Sequence, residues 1–185
     1  MNTRSLTVSA FLSVLAAATN VHAQSPSHPP PPTPAPIGTA MPYLQIGRES
    51  DVYEVTSSQI AIDRAQRPDV RAFARMMIAH HSGTTNATLA AAKAAGLMPP
   101  PAVLGQGTRA QIDALYAAAP AEFDRLYLKQ QRAAHEQAIG VQQAYADHGD
   151  KAPLRASAKA AIPIISQHLE QLQTLGAATQ DRSKM

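Results

Sequence analysis

The chain has no cysteine and no tryptophan among its 185 residues. Without thiols it cannot form a disulfide framework, a thiolate zinc site, an iron–sulfur cluster or a cysteine nucleophile. Aromatic residues are only 4% of the sequence, and the lysines and arginines behind the net charge of +3 are scattered singly. Nucleic-acid-binding proteins use basic stripes and stacking aromatics. We therefore expect no nucleic-acid partner.

Long hydrophobic runs are also lacking, and the most apolar stretch lies at the N-terminus. Leu6–Ala18 follows Arg4 and is too short and too interrupted to span a bilayer. Val21-His22-Ala23 has the small-x-small pattern of a cleavage site. The sequence predicts a signal peptide over residues 1–23 and no transmembrane segment; an uncleaved anchor is the alternative. We expect a mature protein that is periplasmic or secreted after cleavage near Ala23.

Proline is concentrated directly after this segment. Residues 24–41 contain a run of consecutive prolines, which favours an extended polyproline II spacer that cannot pack into a core. We interpret this segment as a proline-rich linker. It serves either as a tether that presents the domain to a surface or as a disordered mature N-terminus.

From residue 42 onward, apolar residues recur at intervals of three and four, which is typical of amphipathic helices. No alternating pattern typical of strands appears. The sequence predicts an all-α fold, an antiparallel four-helix bundle over residues 42–176, followed by a disordered tail at 177–185. The predicted long helices are 43–65, 68–95, 121–148 and 153–175, with a short helix at 108–118.

Histidines lie on three of these predicted helices. His80 and His81, then His135, then His168 are each flanked by apolar residues at helical spacing, so we expect them to face the core. Only one of His80 and His81 can point squarely inward. On the first helix, Glu54 is the best inward-facing carboxylate. Histidine is the commonest metal ligand and is unusual in an apolar core.

Four residues, one from each long helix, form a candidate metal site. Nitrogen and oxygen donors of this kind suit zinc, copper, iron or manganese, and Met76 and Met77 would add a thioether that favours copper. The alternative is a structural or interaction module of the cell envelope in which the histidines are hydrogen-bonded core residues. The candidate ligands are Glu54, His81, His135 and His168.

The familiar enzyme motifs are missing. Di-iron carboxylate enzymes use Glu-x-x-His on two helices, whereas Met77, Ile78, Arg132 and Ile165 stand three residues before the histidines. The sequence also lacks C-x-x-C-H, a glycine-rich phosphate loop and G-x-S-x-G. We assign no catalytic residue, and an enzyme is the less favoured interpretation.

Several spaced motifs resemble one bacterial family. They are Glu54-Val55, the run from Val70 to His81, Phe123-Asp124-x-x-Tyr127, His135, and Ile162-Pro163 followed by His168-Leu169. They resemble a domain-of-unknown-function family of exported proteins, commonly labelled outer membrane proteins, over residues 42–175. The resemblance implies a ferritin-like fold but no established activity. The family positions it marks are Glu54, His81, Asp124, Tyr127, His135 and His168.

The chain departs from that family at one place. The family usually has Asp-His where this chain has His80-His81, so an acidic partner for His81 is missing from the adjacent position. We expect His80 and Asp124 to lie beside the ligands and orient them. The segment from Met77 to His81 also resembles a second, uncharacterised ferritin-like family of exported proteins.

Overall fold

The computed structural model describes residues 38–99 and 101–182, with side chains described as far as residue 178. The predicted signal peptide and most of the predicted linker lie outside this range. The described residues form helices and contain no strand, which confirms the predicted all-α class. The helices are α1 (Ala40–Arg64), α2 (Pro68–Ala94), α3 (Gln106–Ala117), α4 (Pro120–His148) and α5 (Ala152–Arg182).

Proline and glycine set several of these boundaries. Pro68 and Pro120 occupy the first turns of α2 and α4, where a missing N–H costs nothing. At the end of α2, Gly96 adopts a left-handed φ of 71°. Its N–H donates to the Lys93 carbonyl, and the N–H of Leu97 donates to the Ala92 carbonyl. These two bonds form a Schellman motif, which ends the helix.

Two predicted boundaries need correction. The first helix begins at Ala40, inside the segment predicted as linker. The last helix continues through Gly176 to Arg182, where we predicted a disordered tail from residue 177. Gly176 does not take a positive φ, and a glycine inside a helix costs only about 1 kcal/mol relative to alanine, which is too little to end a long helix.

The four long helices pack in a closed ring. In this ring α1 packs against α2, α2 against α5, α5 against α4, and α4 against α1, while α3 lies against α1 and α4. Tyr43 Oη donates to Gln142 Oε1 at 2.8 Å, and Tyr53 Oη donates to Gln130 Oε1 at 3.1 Å. Along the contact between these two helices, residue numbers therefore increase in α1 in the direction in which they decrease in α4.

The core consists of two apolar clusters. The larger is built around Phe73, Phe123 and Tyr127, and the smaller around Tyr43, whose ring stacks on that of Tyr145 at a centroid distance of 3.8 Å. On α2, α4 and α5, the histidines lie between the positions that contribute to the two clusters. Polar residues thus interrupt the apolar core at one level of the helix ring.

None of the described helices is both long and apolar enough to cross a bilayer. Within the described part of the chain, this agrees with the prediction of no transmembrane segment.

Candidate metal centre

Three imidazoles meet at this polar level. One ring nitrogen of each of His81, His135 and His168 lies within 4.8 Å of one from each of the others. Their ring centroids are 5.1 to 5.9 Å apart. The rings come from α2, α4 and α5, and both His135 and His168 are no more than 2% exposed. The structure brings together all three histidines that the sequence predicted as ligands.

The ring of His81 is held by a carboxylate from α1. Its Nδ1 lies 2.8 Å from Asp51 Oδ1, and the other oxygen of Asp51 accepts a 2.5 Å hydrogen bond from Thr85 Oγ1. The acidic partner that the family resemblance led us to expect next to this histidine in sequence is thus supplied by another helix. Sequence reasoning missed Asp51, although it stands three residues before Glu54 and so on the same helical face.

The ring of His135 is held by its own helix. Its Nδ1 lies 2.8 Å from the Gln131 carbonyl oxygen. Because a carbonyl oxygen only accepts, Nδ1 must carry the hydrogen, and Nε2 of the neutral ring presents a lone pair. That Nε2 lies 3.1 Å from Nδ1 of His168.

The ring of His168 contacts a second histidine through its other nitrogen. Nε2 of His168 lies 2.8 Å from Nδ1 of His80, and the two rings are stacked with centroids 5.1 Å apart. Since Nε2 of neutral His135 accepts, His168 donates from Nδ1 and accepts at Nε2 from His80. The structure thus places His80 beside a predicted ligand, as expected.

The environment keeps two of the three rings neutral. Burial lowers the pKa of His135 to about 4 and, together with the neighbouring imidazoles, that of His168 to about 3. Burial also acts to lower the pKa of His81, but the hydrogen bond to Asp51 and the nearby Glu54 and Asp51 charges outweigh it and raise the pKa. Neutral imidazole is the form that binds metals.

Glu54 reaches the same cluster from α1. It is 1% exposed, and its Oε1 lies 3.8 Å from Nδ1 of His135. Burial raises the pKa of Glu54 to about 7, although the charge of His81 opposes this shift. A carboxylate in such a place is costly unless it is paired.

Three buried polar atoms at the cluster have no hydrogen-bond partner among the described residues. They are Oε2 of Glu54, Nε2 of His81 and Oε1 of Gln131, whose side chain also interacts with the Glu54 carboxylate. Buried polar atoms without partners are uncommon in folded proteins, and a bound ion is one of the few explanations for them. A carboxylate oxygen and an imidazole nitrogen are also suitable donors for a transition metal. The residues present therefore fit a metal ion.

Asp124 does not join this cluster. Its two carboxylate oxygens each accept a 2.9 Å hydrogen bond, from the backbone N–H groups of Gln66 and Arg67 at the connection between α1 and α2. It stands eleven residues before His135 on α4, a rise of about 16 Å. The expectation that Asp124 lies beside the ligands is therefore wrong. Its carboxylate instead stabilises the connection between α1 and α2.

The remaining predicted residues belong to the apolar core. Met76 and Met77 pack within the larger apolar cluster, where Met77 is fully buried. The hydroxyl of Tyr127, a position marked by the family resemblance, lies 2.9 Å from Oγ of Ser58. Both methionines thus contribute to the apolar packing below the histidines.

The comparisons with known proteins agree with a helical domain. Residues 23–175 match the family described as Domain of unknown function (DUF4142), and the chain belongs to that family. No curated protein matches the sequence. The fold is similar to the solved structure of CopM in the Cu(II)-bound form, with a TM-score of 0.63 and 16% identity over 76% of this chain and 97% of that one. At this identity the likeness concerns the fold alone.

Proposed function

We propose that this chain is an exported helical protein that binds one transition-metal ion. His81, His135 and His168 supply three nitrogen donors, and Glu54 supplies an oxygen donor. The role we propose is metal binding or protection of the cell envelope, rather than turnover of an organic substrate. Neutral buried imidazoles and an unpaired buried carboxylate oxygen support it.

The observation that carries the proposal is how the imidazoles are oriented. In each ring one nitrogen contacts a group outside the triad, and the other nitrogen faces the shared centre. Without an ion, these inner nitrogens of His135 and His168 hydrogen-bond to each other at 3.1 Å. Ligand histidines in metalloproteins are held in this way, by a carboxylate, a carbonyl or another acceptor. The pairs are His81 with Asp51, His135 with the Gln131 carbonyl, and His168 with His80.

The spacing of the nitrogens is close to that of a coordinated set. Metal–nitrogen bonds of 2.0–2.1 Å place two neighbouring nitrogens about 2.9 Å apart in a tetragonal site and about 3.3 Å apart in a tetrahedral one. Nε2 of His135 and Nδ1 of His168 are already 3.1 Å apart, whereas the triad as a whole spans up to 4.8 Å. Binding would draw His81 inward. It would also require the proton of His168 on Nε2 and the proton of His80 on its own Nε2, so that His168 donates to Nδ1 of His80.

Imidazole and carboxylate donors suit zinc, copper, iron and manganese, and among divalent ions Cu²⁺ usually binds such sites most tightly. The structural neighbour CopM was solved with Cu(II) bound. Copper is therefore the first ion to test, followed by zinc.

We also propose that the ring of long helices is a ferritin-like antiparallel four-helix bundle. The closed order of helix contacts supports it, as do hydrogen-bond pairs that run in opposite residue order on facing helices. Cleavage near Ala23 and release to the periplasm or the medium rest on the N-terminal sequence pattern. N-terminal sequencing of the exported protein tests this step.

Elemental analysis tests the metal site. The chain is expressed with its own N-terminus, without a histidine tag, and purified without chelator. We expect close to one metal ion per chain, lost in His135→Ala and His168→Ala while circular dichroism stays helical. His148→Ala is the matched control, because His148 is exposed at the end of α4. Two irons per chain would instead indicate a di-iron protein.

The alternative function is a structural or envelope-interaction module. The continuous hydrogen-bond chain from His80 through His168 and His135 to the Gln131 carbonyl favours it, because these rings are satisfied without an ion. In that case His135→Ala and His168→Ala lower stability, and no metal is retained after loading with zinc, copper, iron or manganese.

A further inference from the structure

A cavity of about 300 Å³ lies beside the proposed metal centre. All four proposed ligands line it, so a molecule within the cavity can reach an ion that they hold. Apolar surface predominates in the lining, although threonine and glutamine side chains also contribute to it. The aliphatic side chains of its walls include Ile46, Ala134, Ala138, Val141, Ile164 and Ile165.

The charges around the cavity disfavour anions. Glu49, Asp51 and Glu54 contribute carboxylates to its lining, and none of the described lining residues is lysine or arginine. Even with a divalent ion bound, three carboxylates leave the lining with a net negative charge, which disfavours a further anion. The chemistry of the walls therefore suits a neutral molecule with an apolar body.

The cavity is accessible from the surface. A groove of about 670 Å³ runs between α2 and α5, and it contains exposed residues such as Gly83 and Ala87. The groove adjoins the cavity, because five residues contribute to the lining of both. These are His80, Thr84, Thr88, Ala161 and Ile164.

We infer that the cavity binds a small neutral molecule with one nitrogen donor and an apolar body, and that the nitrogen coordinates the ion held by His81, His135 and His168. The inference rests on the proposed function and extends it by naming a class of ligand. Cu(II) prefers tetragonal coordination, so an additional donor can join three imidazoles and Glu54. A volume of about 300 Å³ is at the lower end of the range for small-molecule sites.

The test uses the full mature chain loaded with Cu(II). Imidazole, 4-phenylimidazole and azide are titrated separately, and the visible d–d band and the bound copper are followed together. We expect 4-phenylimidazole to bind about tenfold more tightly than imidazole, because the phenyl ring is removed from water by the aliphatic walls. Azide should bind more weakly than imidazole.

A substitution in the cavity wall tests ligand binding in the cavity separately from metal binding. Ala138→Phe should weaken 4-phenylimidazole binding by about tenfold or more, with a smaller effect on imidazole and unchanged copper content. Val141→Phe serves the same purpose if Ala138→Phe does not fold. Gln143→Phe is the matched control, because Gln143 is exposed on α4 and does not line the cavity.

The outcomes distinguish this inference from the proposed function. If copper stays bound but imidazole and 4-phenylimidazole bind equally, or azide binds best, the inference is overturned and the metal site stands. It is also overturned if the wall variants bind 4-phenylimidazole like the wild type. If copper is lost on gel filtration before any ligand is added, the proposed function fails, and the inference with it.

Discussion

The Nδ1 atom of His81 lies 2.8 Å from Oδ1 of Asp51, across the contact between α1 and α2. Asp51 is held in turn by Thr85, so the imidazole has a fixed orientation. Its Nε2, which is buried and has no partner among the described residues, remains available as a donor. Carboxylate–histidine pairs of this kind orient ligands and increase their basicity.

Asp51→Asn tests this pair. The amide keeps the shape of the side chain but removes its charge, so we expect metal affinity to fall by about 10- to 100-fold while stoichiometry at saturation is unchanged. Competition with a chromophoric chelator measures the affinity. Asp63→Asn on the exposed side of α1 is the matched control. Equal affinities for the wild type and Asp51→Asn would mean that the pair has no part in binding.

His80→Phe tests the contact with His168. The phenyl ring can keep the stacking geometry but cannot accept or donate the 2.8 Å hydrogen bond at Nδ1. We expect about a tenfold loss of metal affinity with one ion still bound at saturation. Complete loss of metal would instead identify His80 as a ligand. The same chelator competition distinguishes the two results.

Glu54→Gln should separate stability from binding. The pKa of Glu54 is raised from 4.5 to about 7, so ionising it in the folded protein opposes folding as pH rises through this range. Near pH 8, the metal-free variant should be more stable than the wild type by about 1–3 kcal/mol, measured by urea unfolding. Its metal affinity should be lower. A variant that is less stable and binds metal normally would contradict both expectations.

Acid should destabilise the metal-free protein. The pKa values of His135 and His168 fall from 6.5 to about 4 and about 3, so the unfolded chain takes up protons before the folded one. The stability that these neutral rings contribute is present above about pH 6.5 and is lost as pH falls towards 3. Glu54 acts in the opposite direction between pH 4.5 and about 7 and masks part of the loss.

Urea unfolding at a series of pH values, with wild type and Glu54→Gln in parallel, measures this dependence. In the wild type the steep loss of stability should begin below about pH 4.5, where Glu54 no longer compensates. In Glu54→Gln it should begin near pH 6.5. A flat profile in the variant over this range would show that the two histidines are not held neutral by the fold.

Asp124→Ala should affect stability only. The substitution removes the acceptor for the backbone N–H groups of Gln66 and Arg67, and each unsatisfied group costs about 1–3 kcal/mol where it is buried. We expect a lower urea midpoint and unchanged metal affinity. A loss of metal affinity larger than that of Asp51→Asn would contradict this prediction and show that Asp124 takes part in metal binding.

The helices were predictable because their signals are local. Apolar spacing, Pro68 and Pro120 at helix starts and the left-handed Gly96 at a helix end act within a few residues of each boundary. The predicted end of the last helix at residue 175, just before Gly176, was wrong, since a glycine inside a helix carries only a small penalty. Whether a glycine ends a helix depends on whether the residues after it continue the helix, as they do after Gly176, or leave it, as they do after Gly96.

The sequence alone determined that His81, His135, His168 and Glu54 face the core, because helical periodicity decides which side of a helix a residue occupies. It did not determine the axial level at which one helix meets another. That offset is set by packing. It decided that Asp51 holds His81, that His80 stacks on His168, and that Asp124 caps a connection about three turns from the cluster. The composition of the candidate site followed from the sequence, and its hydrogen-bond partners followed only from the tertiary structure.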